Sequence, residues 1–170
     1  MTGKLYVCGT PIGNMEDVSI RLLKTLRQVD LIACEDTRHT IKLLNRYKIK
    51  KKLISYHEHS SQRQEQYILE RLAQGNNIAL VSDAGMPTIS DPGETLVRQA
   101  IAARIEVEVI PGPSACTAAL AVSGLDSSSF VFAGFLPVKA AQRQAMLGDL
   151  AQGNRTIILY EAPHRLIASL

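Results

Sequence analysis

The sequence predicts an α/β chain: a parallel-sheet α/β domain over residues 1–112, then the start of a second, truncated α/β domain over 113–170. Three observations predict it. Short apolar runs rich in β-branched residues recur along the chain, segments of helical period separate them, and the two alternate rather than segregate. Alternation of that kind needs crossover connections, and crossovers make a largely parallel sheet.

Each element has its own justification. Residues 5–8, 30–34, 53–56, 78–82 and 107–110 read as strands, bounded by polar or turn residues. Between the first two, residues 19–29 place Ile20, Leu23, Leu26 and Val29 three apart, one stripe of a helix. Ser61 followed by Gln64 has the form of a capping box, opening a helix with Ile68, Leu69 and Leu72 inward and Gly75 as its stop. Asp91-Pro92 supplies a cap and a preset first turn for a helix carrying Leu96, Val97, Ala100 and Ile101. Beyond Pro111 the texture changes. A small-residue helix over 114–123 and a polar turn over 124–129 precede a strand at 131–133, a helix at 140–151 and a strand at 156–160; a last helix starts near His164.

Composition narrows the class. With 46% hydrophobic and 21% charged residues, the 170-residue chain has ordinary globular composition. Its first residues carry neither an apolar core nor a cleavage pattern, so no secretory signal is expected, and residues 115–122 are far short of a membrane span; a cytoplasmic protein is expected. Cys8, Cys34 and Cys116 are odd in number and widely spaced, which points to buried thiols rather than disulfides or a zinc site. Charge is uneven: Arg38, Lys42, Arg46, Lys48, Lys50, Lys51 and Lys52 fall in one segment without an acid, leaving 12 basic and 16 acidic residues elsewhere. Such a segment is either a solvated helix end or a contact for a polyanion.

In open parallel sheets ligands bind beyond the carboxyl ends of the strands. Four unusual loops fall there: GTPIGN (9–14), EDTRHT (35–40), VSDAGMPTISDPG (81–93) and PGPSA (111–115). Each sets glycine, proline or a short polar side chain where helix N-termini expose N–H groups. Gly9 and Gly13 form half of a dinucleotide fingerprint, but the full G-x-G-x-x-G is absent, as is a P-loop. In the trio His57-Glu58-His59 side chains alternate sides, which argues against a metal site.

TPIGN, EDTRHT, SYHEHS, VSDAGMPTISDPG, PGPSA, GFLP and YEAPHR occur in order across the chain, and together they resemble the ribosomal RNA small subunit methyltransferase I group of the tetrapyrrole methylases, the class III S-adenosylmethionine-dependent fold. The resemblance implies a homodimer of two-domain subunits with S-adenosylmethionine between the domains, and 2′-O-methylation of a cytidine in the decoding region of 16S ribosomal RNA, on the rRNA or the 30S particle. It implies donor contacts at Pro11, Ile12, Asp83, Ala84, Gly85, Met86, Ser114, Ala115, Leu159 and Tyr160. Met86, Glu94 and Ala162 depart from the residues common in the group, and similar proteins continue beyond Leu170.

Methyl transfer to a ribose hydroxyl needs alignment and a proton acceptor. Asp36, Glu35 and Glu58 are the catalytic candidates, with His39 and Glu161 also open. Asp36 has a second reading as a helix cap, Glu35 as a partner of Arg38, Glu161 as a partner of Arg165, and Asp83 as a turn cap rather than a ligand for the donor's amino group. Arg38, His39, Lys42, Lys50, Lys51, Lys52, His57 and His59 are the RNA-contact candidates. No metal and no membrane partner is expected. Two other functions stay open: a class III methylase of a small, tetrapyrrole-like acceptor, and a non-catalytic RNA-binding module.

Overall fold

The computed structural model describes residues 2–57 and 62–169. The chain forms two compact units, Met1–Ser114 and Ala115–Leu170.

The first unit carries five strands, β1 (Lys4–Cys8), β2 (Leu31–Cys34), β3 (Lys52–Ser55), β4 (Ile78–Val81) and β5 (Glu106–Ile110), each within a residue or two of its predicted bounds. They lie in the order β3-β2-β4-β1-β5, and every pairing is parallel. Between them run α1 (Ile20–Gln28), α2 (Thr37–Arg46), α3 (Gln62–Ala73) and α4 (Glu94–Ala102). Leu22 and Leu26 of α1 and Leu43 and Leu44 of α2 pack with Cys8, Ile32, Cys34 and Val81 on one face of the sheet. Ile68 and Leu72 of α3 and Leu96 and Ala100 of α4 pack with Leu5, Leu31, Ala33 and Leu80 on the other. Alternate residues of each strand thus feed opposite cores, as the pleat requires.

This layout follows from chain direction. From β1 through β2 to β3 the chain steps one way across the sheet; from β3 through β4 to β5 it steps back. With crossovers of one hand, the reversal sends α1 and α2 to one face and α3 and α4 to the other. β4 therefore lies between β1 and β2, whose connections leave on the opposite side from its own. A crevice opens at such a switch point, at the carboxyl ends of the strands.

Local chemistry sets the ends. Ser19 caps α1, its hydroxyl accepting the Leu22 N–H at 2.9 Å. Of the predicted stripe, Leu26 and Val29 are buried and Leu23 packs against the same core, joined by Leu22 and Thr25, while Ile20 is exposed. Gly75, at φ 93°, stops α3 as expected. The predicted capping box at Ser61 lies outside the described residues; Gln64 donates its side-chain N–H to the Ser55 carbonyl. α4 is capped by Gly93, not Asp91, and without a side-chain bond; Ile101 on it is exposed. The three cysteines are buried and form no disulfide.

The second unit has α5 (Ala115–Ser123), β6 (Phe130–Phe135), α6 (Ala140–Leu150), β7 (Thr156–Tyr160), a 3-10 turn at Pro163–Arg165 and α7 (Leu166–Ser169). β6 and β7 pair in parallel with a bulge between Phe132 and Gly134, α6 forming the crossover. Among the described residues no helix is long and apolar enough to cross a membrane.

Candidate functional site

At the switch point the loop after β1 and the loop after β4 are joined by backbone. Thr10 N–H donates to the Gly85 carbonyl at 2.9 Å, and Gly85 N–H donates to the Thr10 carbonyl at 3.1 Å. The Thr10 hydroxyl adds a bond to the Ser82 carbonyl at 3.2 Å. Gly85 adopts φ 85°, a conformation that glycine alone holds without strain. Gly9 serves packing: a Cβ there would lie 2.7 Å from the Gly112 Cα and 2.6 Å from the Met86 sulfur. Close approach of β1 and β5, not a phosphate, accounts for that glycine.

Between these loops and α2 lies a cavity of about 280 Å³, near the small end of the ligand-pocket range of ~300–1,000 Å³. Pro11, Ile12, Met15 and Leu43 make its apolar walls, while His39, Thr40, Ser82 and Asp83 supply polar groups. Of the motif 35–40, expected as a loop, only Glu35 and Asp36 connect β2 to α2. Asp36 is the N-cap, its Oδ1 accepting the Arg38 N–H at 2.8 Å. That brings helix α2 forward and turns His39 and Thr40 into the cavity.

Carboxylates crowd the strand ends. Asp36 is held down to about 2, first by hydrogen bonds from the Arg38 side chain and backbone. Arg38 Nη2 approaches Asp36 Oδ2 at 2.6 Å, so the predicted Glu35–Arg38 pair is replaced by Asp36–Arg38. Glu35 is pushed up by burial, then by the neighbouring Asp83 charge. Asp91 is pushed up to about 6, by burial first and the Glu35 charge second, with the Ser82 side chain opposing the shift. It reaches this position on a strained loop in which Thr88 and Ser90 have φ of 73° and 59°. Asp91 as a titrating group was missed in the sequence, where Asp-Pro signals only a helix start.

The donor candidates divide. Pro11, Ile12, Asp83 and Ala84 line the cavity, and Gly85 and Met86 flank it through Thr10 and Gly9. Ser114 closes the first unit. In the second unit Ala115 starts α5, and the Tyr160 hydroxyl at the end of β7 accepts the Cys116 N–H at 3.1 Å, with Leu159 beside it in the strand. Tyr160 is also edge-packed on Phe132 at 4.8 Å. Glu161 pairs with Arg165 at 3.5 Å, as one of its readings had it.

The RNA candidates divide too. Arg38, Lys42 and Arg46 are exposed at i, i+4 and i+8 on α2, one stripe leading away from the cavity. Lys50 and Lys52 are exposed, but Lys51 Nζ donates to the Val29 carbonyl at 2.6 Å and serves the fold. His39 belongs to the cavity, and exposed His57 lies close enough to Glu35 to favour its charge. Glu58 and His59 lie outside the described residues. No group of three His, Cys, Asp or Glu among the described residues is arranged to hold a metal.

The surround is apolar and acidic: Asp83 lines the cavity beside its apolar walls, Asp36 bonds to Asp83 and pairs with the Arg38 guanidinium, and Glu35 lies near Asp83, a setting that suits a cation carrying carbon substituents.

Comparison with known proteins gives the same frame. Residues 4–170 match the family model of the tetrapyrrole (corrin/porphyrin) methylases. The chain is 53% identical over 168 residues to the ribosomal RNA small subunit methyltransferase I of Thermotoga maritima, covering 99% of this chain and 75% of that one. It is 56% identical to the Synechocystis protein of the same name, covering 99% and 60%. Among solved structures, diphthine synthase superposes with a TM-score of 0.70 over 98% of this chain and 71% of that one, at 17% identity. A cobalt precorrin-4 methyltransferase does so at 0.63 over 92% and 68%, at 20% identity. Those two likenesses show the fold, and the sequence matches show the group: the chain belongs to the tetrapyrrole methylase family, within its ribosomal RNA small subunit methyltransferase I members.

Proposed function

We propose that the chain belongs to an S-adenosylmethionine-dependent methyltransferase that places a methyl on the 2′-oxygen of a cytidine in the decoding region of small-subunit ribosomal RNA, working in the cytoplasm as a homodimer. The supporting observation is the cavity at the β1/β4 switch point, from whose wall α2 carries a stripe of exposed cations.

The donor, when bound, supplies an electrophilic methyl on a positively charged sulfur; everything else falls to the protein. Pro11 and Ile12 wall the donor on its apolar side, and Asp83 holds its amino group. Ala84, Gly85 and Met86 frame that loop. Arg38, Lys42, Lys50 and Lys52 hold phosphates and set the RNA in register without reading its sequence. His39, inside the cavity on the first turn of α2, accepts the ribose proton. Asp36 keeps its place as the cap of the helix that carries His39.

The test is transfer of labelled methyl from S-adenosylmethionine to small ribosomal subunits, with the product mapped by resistance of the 2′-O-methylated linkage to alkali. Label on a cytidine ribose in wild type, and a loss of about 10²–10⁴-fold in turnover with His39→Gln, is the expected result. Label only in a small tetrapyrrole-like acceptor contradicts it.

A further inference from the structure

Three walls enclose the cavity: the loop after β1, the loop after β4 and helix α2. Two of the seams between them are closed at the strand ends. Thr10 and Gly85 join the two loops, and the Asp36 N–H joins α2 to the β4 loop by donating to Asp83 Oδ1 at 3.1 Å. The seam between α2 and the β1 loop is closed from further off. We propose that Tyr47, which does not line the cavity, is a positioning residue whose hydroxyl ties the β1 loop to α2 and so sets the width of the donor cavity. The inference rests on the donor reading of that cavity.

Tyr47 directly follows the last residue of α2. Its hydroxyl donates to the Met15 carbonyl, and its N–H donates to the Leu43 carbonyl at 3.3 Å. Met15 and Leu43 both line the cavity, one on the loop and one on the helix. From α1, Arg27 Nη2 donates to the Tyr47 carbonyl at 3.3 Å. Tyr47 and Met15 are both partly buried against the core that holds Leu26, Leu43 and Leu44. Core, α1 and α2 thus fix the tyrosine, and its hydroxyl is the arm that reaches the loop.

The loop's internal bonds do not replace that arm. Glu16 N–H donates to Asn14 Oδ1 at 3.0 Å and Asp17 N–H to the Asn14 carbonyl at 3.1 Å, which folds the turn on itself without fixing it to the helix. Pro11, Ile12 and Met15 serve as a wall only at contact distance: a gap of about 0.5–1 Å forfeits roughly a quarter to a half of each contact. A tie made on folding also removes the ordering cost from donor binding. His39 stands at the other end of α2, held there by the Asp36–Asp83 bond, so the chemical step does not depend on Tyr47.

Tyr47→Phe removes the hydroxyl and keeps the ring. The experiment compares it with wild type by calorimetric titration with S-adenosylmethionine, by kcat and donor KM on small ribosomal subunits, by thermal unfolding, and by exchange of the Asp17 amide proton in nuclear magnetic resonance. Tyr47→Phe is expected to weaken donor binding about fivefold and raise donor KM in step, with kcat at saturating donor held within about twofold. The Asp17 amide is expected to exchange about fivefold faster, because the turn that protects it is released. A lowered melting temperature with donor affinity and KM unchanged makes Tyr47 a residue of the fold alone and overturns the proposal. Loss of kcat with KM unchanged overturns it as well. If wild type binds no donor, the proposed function fails, while amide exchange still decides the tie: faster exchange in Tyr47→Phe upholds it and unaltered exchange refutes it.

Discussion

Asp91 sits where its ionisation works against folding. Its acid form is favoured by burial and by the Glu35 charge, so its folded pKa stands at about 6 against an ordinary 3.8. A raised acid contributes stability that is complete below 3.8 and is lost as pH rises through about 6. Replacing it with a neutral isostere removes that loss. Asp91→Asn is expected to raise the melting temperature at pH 8 by roughly 2–4 °C, the equivalent of about 1 kcal/mol once solvent screening of a half-exposed group is allowed for. It is also expected to flatten the melting profile between pH 4 and pH 7, as thermal unfolding across that range would show; an unchanged profile contradicts the assignment. Little of this was legible in the sequence. Asp before Pro signals a helix start, and only folding sets Asp91 beside Ser82 and near Glu35. Gly9 was misleading in a different way: its spacing from Gly13 resembles a nucleotide loop, whereas its use is contact with Gly112.

Helix α2 joins the two halves of the account, because its first turn enters the cavity and its exposed stripe is the proposed RNA surface. The cap holds that arrangement. Asn caps a helix about as well as Asp, so Asp36→Asn is expected to keep turnover within a few-fold, while Asp36→Ala loosens the start of α2 and releases Arg38. Abolished turnover in Asp36→Asn, with donor affinity intact, would restore Asp36 as the proton acceptor. Along the same helix, Lys42→Ala and Arg46→Ala are each expected to lower the slope of log affinity for RNA against log salt by about 0.7–0.9. Lys51→Ala is expected to leave that slope alone and to lower stability, since its ammonium is bonded to Val29. Filter binding at graded salt measures the first and thermal unfolding the second. The strands around α2 were legible because apolar β-branched runs end sharply at polar residues. The start of α2 was not, because Thr37, Arg38 and His39 carry no apolar period, and only the Asp36 cap marks the turn as helical.

At the scale of the molecule, function depends on strand order. Placing β4 between β1 and β2 brings Thr10 to Gly85 and Asp36 to Asp83, residues 75 and 47 apart in the chain. Alternation of strands and helices announces a parallel sheet but leaves its order open, so the four unusual loops were legible as a group while their pairing was not. Resemblance of the ordered motifs supplied the donor; the structure adds a cavity whose apolar wall and acidic surround suit a cation. The measurement that tests this most directly is calorimetric titration of the 170-residue chain with S-adenosylmethionine, with NADH as control. Saturable heat with S-adenosylmethionine and none with NADH is the predicted result. Heat with NADH alone, or none with S-adenosylmethionine, contradicts the assignment of the switch-point cavity to the methyl donor.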